Sequence, residues 1–167
     1  MISAIVAVNE DWGIGYNGEL LENIPDDLKH FKKITSGSNV IMGLNTWMSL
    51  PKKPLPNRNN IIIDYVDNIY FKDEATFQNM ETTIDLIKTF SHEQFFIIGG
   101  GSIYKQLLPY CEKVYITKIF KRHENVDTFF PNLDETNEWQ VIEESEMYNY
   151  NGVDYKFYTY ERRNLTL

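Results

Sequence analysis

Gln94-Phe95-Phe96-Ile97-Ile98-Gly99-Gly100-Gly101-Ser102-Ile103-Tyr104-Lys105-Gln106-Leu107-Leu108 is the stretch whose reading decides the fold. Gln94 to Ile98 is apolar and strand-like, three glycines follow, and Ser102 to Leu108 reads as a helix that Pro109 stops. A buried strand passing through glycine into a helix is half of a βα unit, and such units build parallel sheets covered by helices. The same order occurs upstream, with Asn39 to Met42 as strand, Gly43 as turn and Leu44 to Leu50 as a short helix. Ile2 to Val8, ending at Asn9, and Ile61-Ile62-Ile63 read as further buried strands. Asp64 to Gln78 is less regular, with one short strand at Ile69 to Phe71. Thr82 to Phe90 has helical character, and Thr82 and Asp85 are spaced as a capping box. Lys113 to Phe120 is another strand. Beyond it the pattern changes: Trp139 to Met147 and Asp154 to Glu161 partly alternate apolar with polar, around Asn151-Gly152, which is a hairpin signature. The expected fold is therefore α/β: a single-domain, mostly parallel twisted sheet with flanking helices and an antiparallel C-terminal edge hairpin. It spans residues 1–163, with 164–167 as a tail.

A chain of 167 residues is long enough for one domain with a sizeable core. Sixteen basic against 24 acidic side chains leave a formal charge of −8, which argues against a nucleic-acid partner. The single cysteine, Cys111, excludes an internal disulfide and a cysteine-based metal cage. His30, His92 and His123 lie in polar or helical-surface surroundings at spacings that make no metal site. Met1-Ile2-Ser3 runs into a strand without a basic leader, and no apolar run approaches a membrane span. The expectation is a soluble intracellular protein, with neither nucleic acid nor membrane as partner.

Gly13-Ile14-Gly15-Tyr16-Asn17-Gly18 matches G-x-G-x-x-G, but no helix follows it directly, so the dinucleotide fingerprint is rejected. Asn9 to Asn23 reads instead as a long polar connection, and such loops are usually functional or mobile. The two strand–glycine–helix junctions carry more weight. Each would bring free backbone N–H groups and a positive dipole end to the carboxyl edge of a parallel sheet, where ligands bind in open α/β folds. Two such ends suit two phosphates of one dinucleotide, with Thr46 adding a hydroxyl; read singly, each is also an ordinary tight turn. Ile24-Pro25-Asp26-Asp27-Leu28-Lys29-His30-Phe31-Lys32-Lys33 reads as a loop entering a short helix. Leu28, Phe31 and Ile34 give that helix an apolar face, and Asp27 either caps the helix or aims a carboxylate into the cleft below. Arg58, braced by Pro56, could offer a rigid fork to a carboxylate or lie on the surface. Thr117 interrupts the apolar strand Val114-Tyr115-Ile116 and could bond an inward polar partner.

These stretches together resemble dihydrofolate reductase over nearly the whole chain, from Met1 to about Arg163. The most specific are Trp12-Gly13-Ile14-Gly15, Ile24-Pro25-Asp26-Asp27-Leu28, Val40-Ile41-Met42-Gly43, Thr46-Trp47, Leu55-Pro56-Asn57-Arg58, Ile97 to Tyr104, Tyr115-Ile116-Thr117 and Asp127-Thr128-Phe129-Phe130-Pro131. The resemblance implies hydride transfer from NADPH to C6 of 7,8-dihydrofolate, with protonation at N5. It implies that Asp27 faces the pterin and that Thr117 shares its polar network. Ile5, Ala7, Leu28, Phe31, Leu50, Leu55 and Ile98 would wall the folate, and Arg58 would grip its glutamate carboxylate. On the cofactor side, Ala7, Ile14, Gly15, Ile98 and Gly99 would border the nicotinamide. Gly43, Leu44, Asn45 and Thr46, with Gly100, Gly101, Ser102, Ile103 and Tyr104, would hold the pyrophosphate and adjoining ribose, and Asp64 would lie near the adenosine ribose. Asn9 to Asn23 would close over the ring.

Three departures from the family pattern stand out. Glu22 occupies a position near the pterin where tryptophan is frequent, and is expected to turn outward, since a second buried acid there would be costly. Leu44 and Asn45 replace basic residues. Asp64 ends a strand where Ser or Thr is frequent, and a carboxylate there suits a free ribose 2′-OH better than a 2′-phosphate. The last two changes are expected either to weaken or reverse the preference for NADPH over NADH, or, with Asp64 facing solvent, to leave the charge to Lys72 or another lysine. Two other readings are a same-fold pyrimidine reductase of riboflavin biosynthesis, which the pairing of Asp27 with Arg58 disfavours, and a non-catalytic nucleotide-binding module.

Overall fold

The computed structural model describes residues 1–164; the remaining residues of the expected 164–167 tail lie outside the described residues. In chain order the elements are β1 (Ile2–Val8), β2 (Gly13–Tyr16), β3 (Glu19–Leu20), α1 (Pro25–Thr35), β4 (Asn39–Gly43), α2 (Leu44–Ser49), β5 (Asn59–Ile63), β6 (Tyr70–Lys72) and β7 (Ala75–Gln78). They continue with α3 (Met80–Thr89), β8 (Phe95–Gly99), α4 (Gly101–Leu107), β9 (Lys113–Ile119), β10 (Thr128–Phe129), β11 (Trp139–Glu144), β12 (Tyr148–Tyr150) and β13 (Val153–Arg162).

One large sheet runs in the order β11-β13-β9-β1-β8-β4-β5-β7-β6, with β12 also paired to β13. The six strands from β9 to β7 are mutually parallel, with β1 between β8 and β9. Both edges are antiparallel. The hairpin expected at Asn151-Gly152 is the β12–β13 turn, and β11 pairs farther along the same strand. At the other edge β6 turns back on β7; this pairing was not expected, because Asp73 and Glu74 take left-handed backbone at the turn without the glycine that usually marks one. The polar connection after β1 also differs from expectation. Residues 13–16 and 19–20 form strands of a small second sheet, completed by β10. Their apolar alternation is too short to announce them.

Period-two alternation sends β1 side chains to opposite faces. Ile2, Ala4, Val6 and Val8 join Ile41, Phe95, Ile97, Val114 and Ile116 in a core closed by Ile87 of α3 and Leu107 of α4. Ile5 joins Val40, Met42, Ile62 and Phe96 on the other face, closed by Trp47 of α2 and by Phe31 and Ile34 of α1. Helices thus cover both faces, as the near-continuous apolar strands require. Helix α1 starts at Pro25 without a side-chain cap; Asp26 and Asp27 in the first turn and Lys32 and Lys33 in the last complement its dipole. Helix α3 is capped differently from expectation: Asn79, not Thr82, is the cap, and its side chain accepts from the Thr82 N–H at 2.8 Å. Among the described residues no helix is long and apolar enough to cross a membrane.

Candidate active site

Most of the polar features of interest lie toward the carboxyl ends of the parallel strands; Arg58 is the exception, just ahead of β5. Asp27 leans from the first turn of α1 toward β9, and its Oδ1 accepts a hydrogen bond from Thr117 Oγ1 at 2.5 Å. Thr117 is buried. It stands beside Ala7 on β1 and Phe157 on β13. Burial pushes the Asp27 carboxyl above its ordinary value, and the Thr117 hydrogen bond offsets part of that rise. Asp27 is therefore the inward acid, not merely a helix cap.

Most of the apolar residues expected around it form one wall. Ile5, Phe31, Leu50, Leu55 and Ile98 share a single cluster, while Ala7 packs in a second one with Ile24, Ile119 and Tyr155. Leu28 stands apart, 56 % exposed, at the outer rim of the helix. Arg58 is fixed rather than free: Nε donates to the Pro56 carbonyl at 2.9 Å, one terminal NH donates to Thr35 Oγ1 at 3.0 Å, and the guanidinium lies over Phe31. Its remaining N–H donors are available to an anion at the end of the wall.

The two glycine junctions meet side by side. A Cβ on Gly43 would come within 3.0 Å of Ile103 and 3.9 Å of the Gly100 nitrogen, and one on Gly100 would lie 3.5 Å from Thr46 Oγ1. The Gly99–Gly100 peptide is cis, and Gly99 has φ of +123°, a conformation open to glycine. Neither α2 nor α4 has a side-chain cap, so their first N–H groups are free to bind an anion. Tyr104 is inside the molecule, with its hydroxyl committed to the Ile5 carbonyl at 2.7 Å and its ring underneath Gly99, where a Cβ would meet it at 3.4 Å. Asn45 and Ser102 are exposed on the first turns of the two helices, while Ile14 and Gly15 lie on β2. Asp64, after β5, accepts from Tyr70 Oη at 3.0 Å and from the Tyr65 N–H at 2.8 Å. With Leu44, Lys53, Tyr70 and Lys72 it lines a hollow of about 750 Å³.

Glu22 does not turn into open water. It accepts from Lys121 Nζ and lies against His123 Nε2, each at 2.9 Å. Burial raises its carboxyl, but those two partners outweigh it and hold the group below its ordinary value. Two histidines are less exposed than expected: His30, on α1, stacks on Phe157 with ring centroids 3.9 Å apart, and His123, though among polar partners, has a side chain only 13 % exposed. The partners of Glu22 lie about a hundred positions downstream in a charged stretch, Lys121-Arg122-His123-Glu124, that reads as a solvated loop.

A half-buried acid against an apolar wall, on a sheet whose neighbouring parallel strands end in two uncapped helix starts, fits the class of small α/β oxidoreductases. Residues 1–162 match the family model described as dihydrofolate reductase. A protein named dihydrofolate reductase from Bacillus subtilis strain 168 is 37% identical, over 98% of this chain and 96% of its own length. One from Staphylococcus haemolyticus is also 37% identical, over 96% and 95%. One from Neisseria gonorrhoeae is 36% identical, over 95% and 96%. The chain belongs to the dihydrofolate reductase family.

Proposed function

We propose that this enzyme reduces 7,8-dihydrofolate to 5,6,7,8-tetrahydrofolate with NADPH. The observation that carries the reading is the Asp27–Thr117 pair, an acid held against β9 of the same sheet whose strands β4 and β8 end in the two glycine junctions. NADPH, when bound, supplies hydride for C6 of the pterin. The residues present suit it: glycines at 43 and 99–101 leave a cradle that a Cβ would narrow, and two uncapped helix ends favour its phosphates. Gly43, Leu44, Asn45 and Thr46 would hold it from one side and Gly100 to Tyr104 from the other, with Ala7, Ile14, Gly15, Ile98 and Gly99 around the nicotinamide.

Asp27 accepts from the pterin 2-amino group and N3, and its carboxylate favours the substrate protonated at N5. Thr117 fixes which carboxylate oxygen faces the ring. Ile5, Leu28, Phe31, Leu50 and Leu55 exclude water from the flat middle of the substrate, and Arg58 receives the glutamate carboxylate. In this reading the enzyme works as a cytoplasmic monomer; its net charge of −8 supports the absence of a nucleic-acid partner.

The test is loss of reduced-nicotinamide absorbance on adding dihydrofolate to purified protein. Loss that requires both compounds supports the reading, and none at any pH removes it.

A second reading concerns cofactor choice. Asp64 and Leu44 line the hollow beside the adenosine end, where a carboxylate repels a 2′-phosphate and accepts from a free 2′-OH. Lys53 and Lys72 line the same hollow and pull the other way. We infer that preference for NADPH over NADH is weakened. Comparable kcat/KM for the two supports this; a large NADPH preference in an otherwise active enzyme overturns it.

A further inference from the structure

The connection between β9 and β10 meets the 9–23 segment through several side chains, and His123 engages residues near both ends of it. The two ring nitrogens of His123 are each engaged: Nε2 lies 2.9 Å from Glu22 Oε1 and Nδ1 lies 3.0 Å from Asn9 Nδ2. Asn9 sets the direction of these bonds. Its Oδ1 already accepts from the backbone N–H of Asp11 at 3.0 Å and of Gly13 at 2.8 Å. Its amide nitrogen therefore faces the imidazole as a donor, and Nδ1 accepts. The ring proton then sits on Nε2, from which it is donated to the Glu22 carboxylate.

Asn9 and Glu22 stand near opposite ends of the segment that contains β2 and β3. One imidazole thus joins both ends, and the buried Asn9 passes the constraint directly to the Gly13 backbone at the start of β2. The middle is held separately: Asp127 Oδ2 accepts from the Asn17 N–H at 2.9 Å, and the Asp127 N–H donates to the Gly15 carbonyl at 3.1 Å. The neighbouring cations of the connection also meet the segment, but each at one end only. Lys121 pairs with Glu22, while exposed Arg122 reaches Glu10 and Asp11.

We propose that His123 is a positioning residue for the reaction: through Asn9 and Glu22 it clasps both ends of the 9–23 segment and so holds Ile14 and Gly15 at the nicotinamide. This rests on the reading that the segment borders the cofactor. The contacts separate cleanly by substitution. In His123→Asn the amide oxygen takes the place of Nδ1 and keeps the acceptor for Asn9. In His123→Gln the amide nitrogen takes the place of Nε2 and keeps the donor for Glu22. His123→Ala removes both.

The expected result is that His123→Ala raises KM for NADPH roughly threefold to tenfold, with a smaller change in kcat, as the loss of one or two hydrogen bonds allows. The Asn and Gln variants each recover part of that loss. Amide hydrogen exchange of the ligand-free protein rises at residues 9–23 in His123→Ala and is unchanged in β1 and β8. Wild-type KM and exchange in His123→Ala overturn the proposal. So does a rise in exchange across the whole sheet, or Asn and Gln variants as impaired as Ala. If the wild type shows no reductase activity, the functional reading fails, while the exchange arm still tests the clasp.

Discussion

The surroundings of Asp27 disfavour its charged form. Burial raises its pKa in the folded state above its unfolded value, so the charged form costs stability. The group favours folding fully below its unfolded pKa, about 3.9, and that contribution is lost as pH rises through the folded value. Asp27→Asn is therefore expected to melt above the wild type at neutral pH, with the difference closing as the pH is lowered toward that unfolded value; scanning calorimetry across pH checks this. The same variant is expected to lose roughly 10²- to 10⁴-fold in kcat/KM at neutral pH, the range for removing a positioned proton-handling group. A gain in stability paired with that loss in rate is the signature of an acid retained for chemistry. Asp27 was legible because proline, paired acids and an apolar helix face are local signals. Its partner Thr117, 90 positions away, was legible only as a polar interruption in an apolar strand. The binding of Glu22 to Lys121 and His123 was not legible, since no spacing rule links a loop before one helix to a loop after the ninth strand.

At the scale of elements, the caps and junctions carry the information. Asn79 closes α3 at its N-terminus and also donates from Nδ2 to the Val66 carbonyl at 2.9 Å, tying the helix to the stretch before β6. Asn79→Ala is expected to cost about 1 kcal/mol, the usual price of a lost cap, read as a lower urea midpoint at unchanged slope. The sequence pattern placed this helix correctly but began it two residues late, because Thr82 and Asp85 imitate a capping box. Strand–glycine–helix junctions were legible from composition alone. What composition did not reveal is how closely the last glycine is approached: a Cβ on Gly101 would meet Thr128 Cγ2 at 2.6 Å, packing α4 against β10 of the small sheet. Strands β2, β3 and β7 escaped because short strands held by tertiary pairing have little local periodicity.

Across the whole molecule, one sheet carries two cores on opposite faces, with Trp12 and Trp139 in one and Trp47 in the other. Because the same strands line both, the faces are expected to unfold together, and tryptophan fluorescence and far-ultraviolet circular dichroism to give coincident melts. NADPH at a hundred times its dissociation constant is expected to add about 2.7 kcal/mol, or roughly 5–11 °C in Tm at this chain length. The layered α/β plan was legible because buried parallel strands are apolar along their length; the strand order was not, since it depends on partners far apart in the chain. That order has a consequence for how the protein is made. Strand β1 lies between β8 and β9, and neither exists until most of the chain has left the ribosome. The growing polypeptide must shelter the middle of its sheet, unpaired and greasy, until both neighbours emerge. A pause in translation before Phe95 therefore leaves a nascent chain that chaperones should hold and proteases should find.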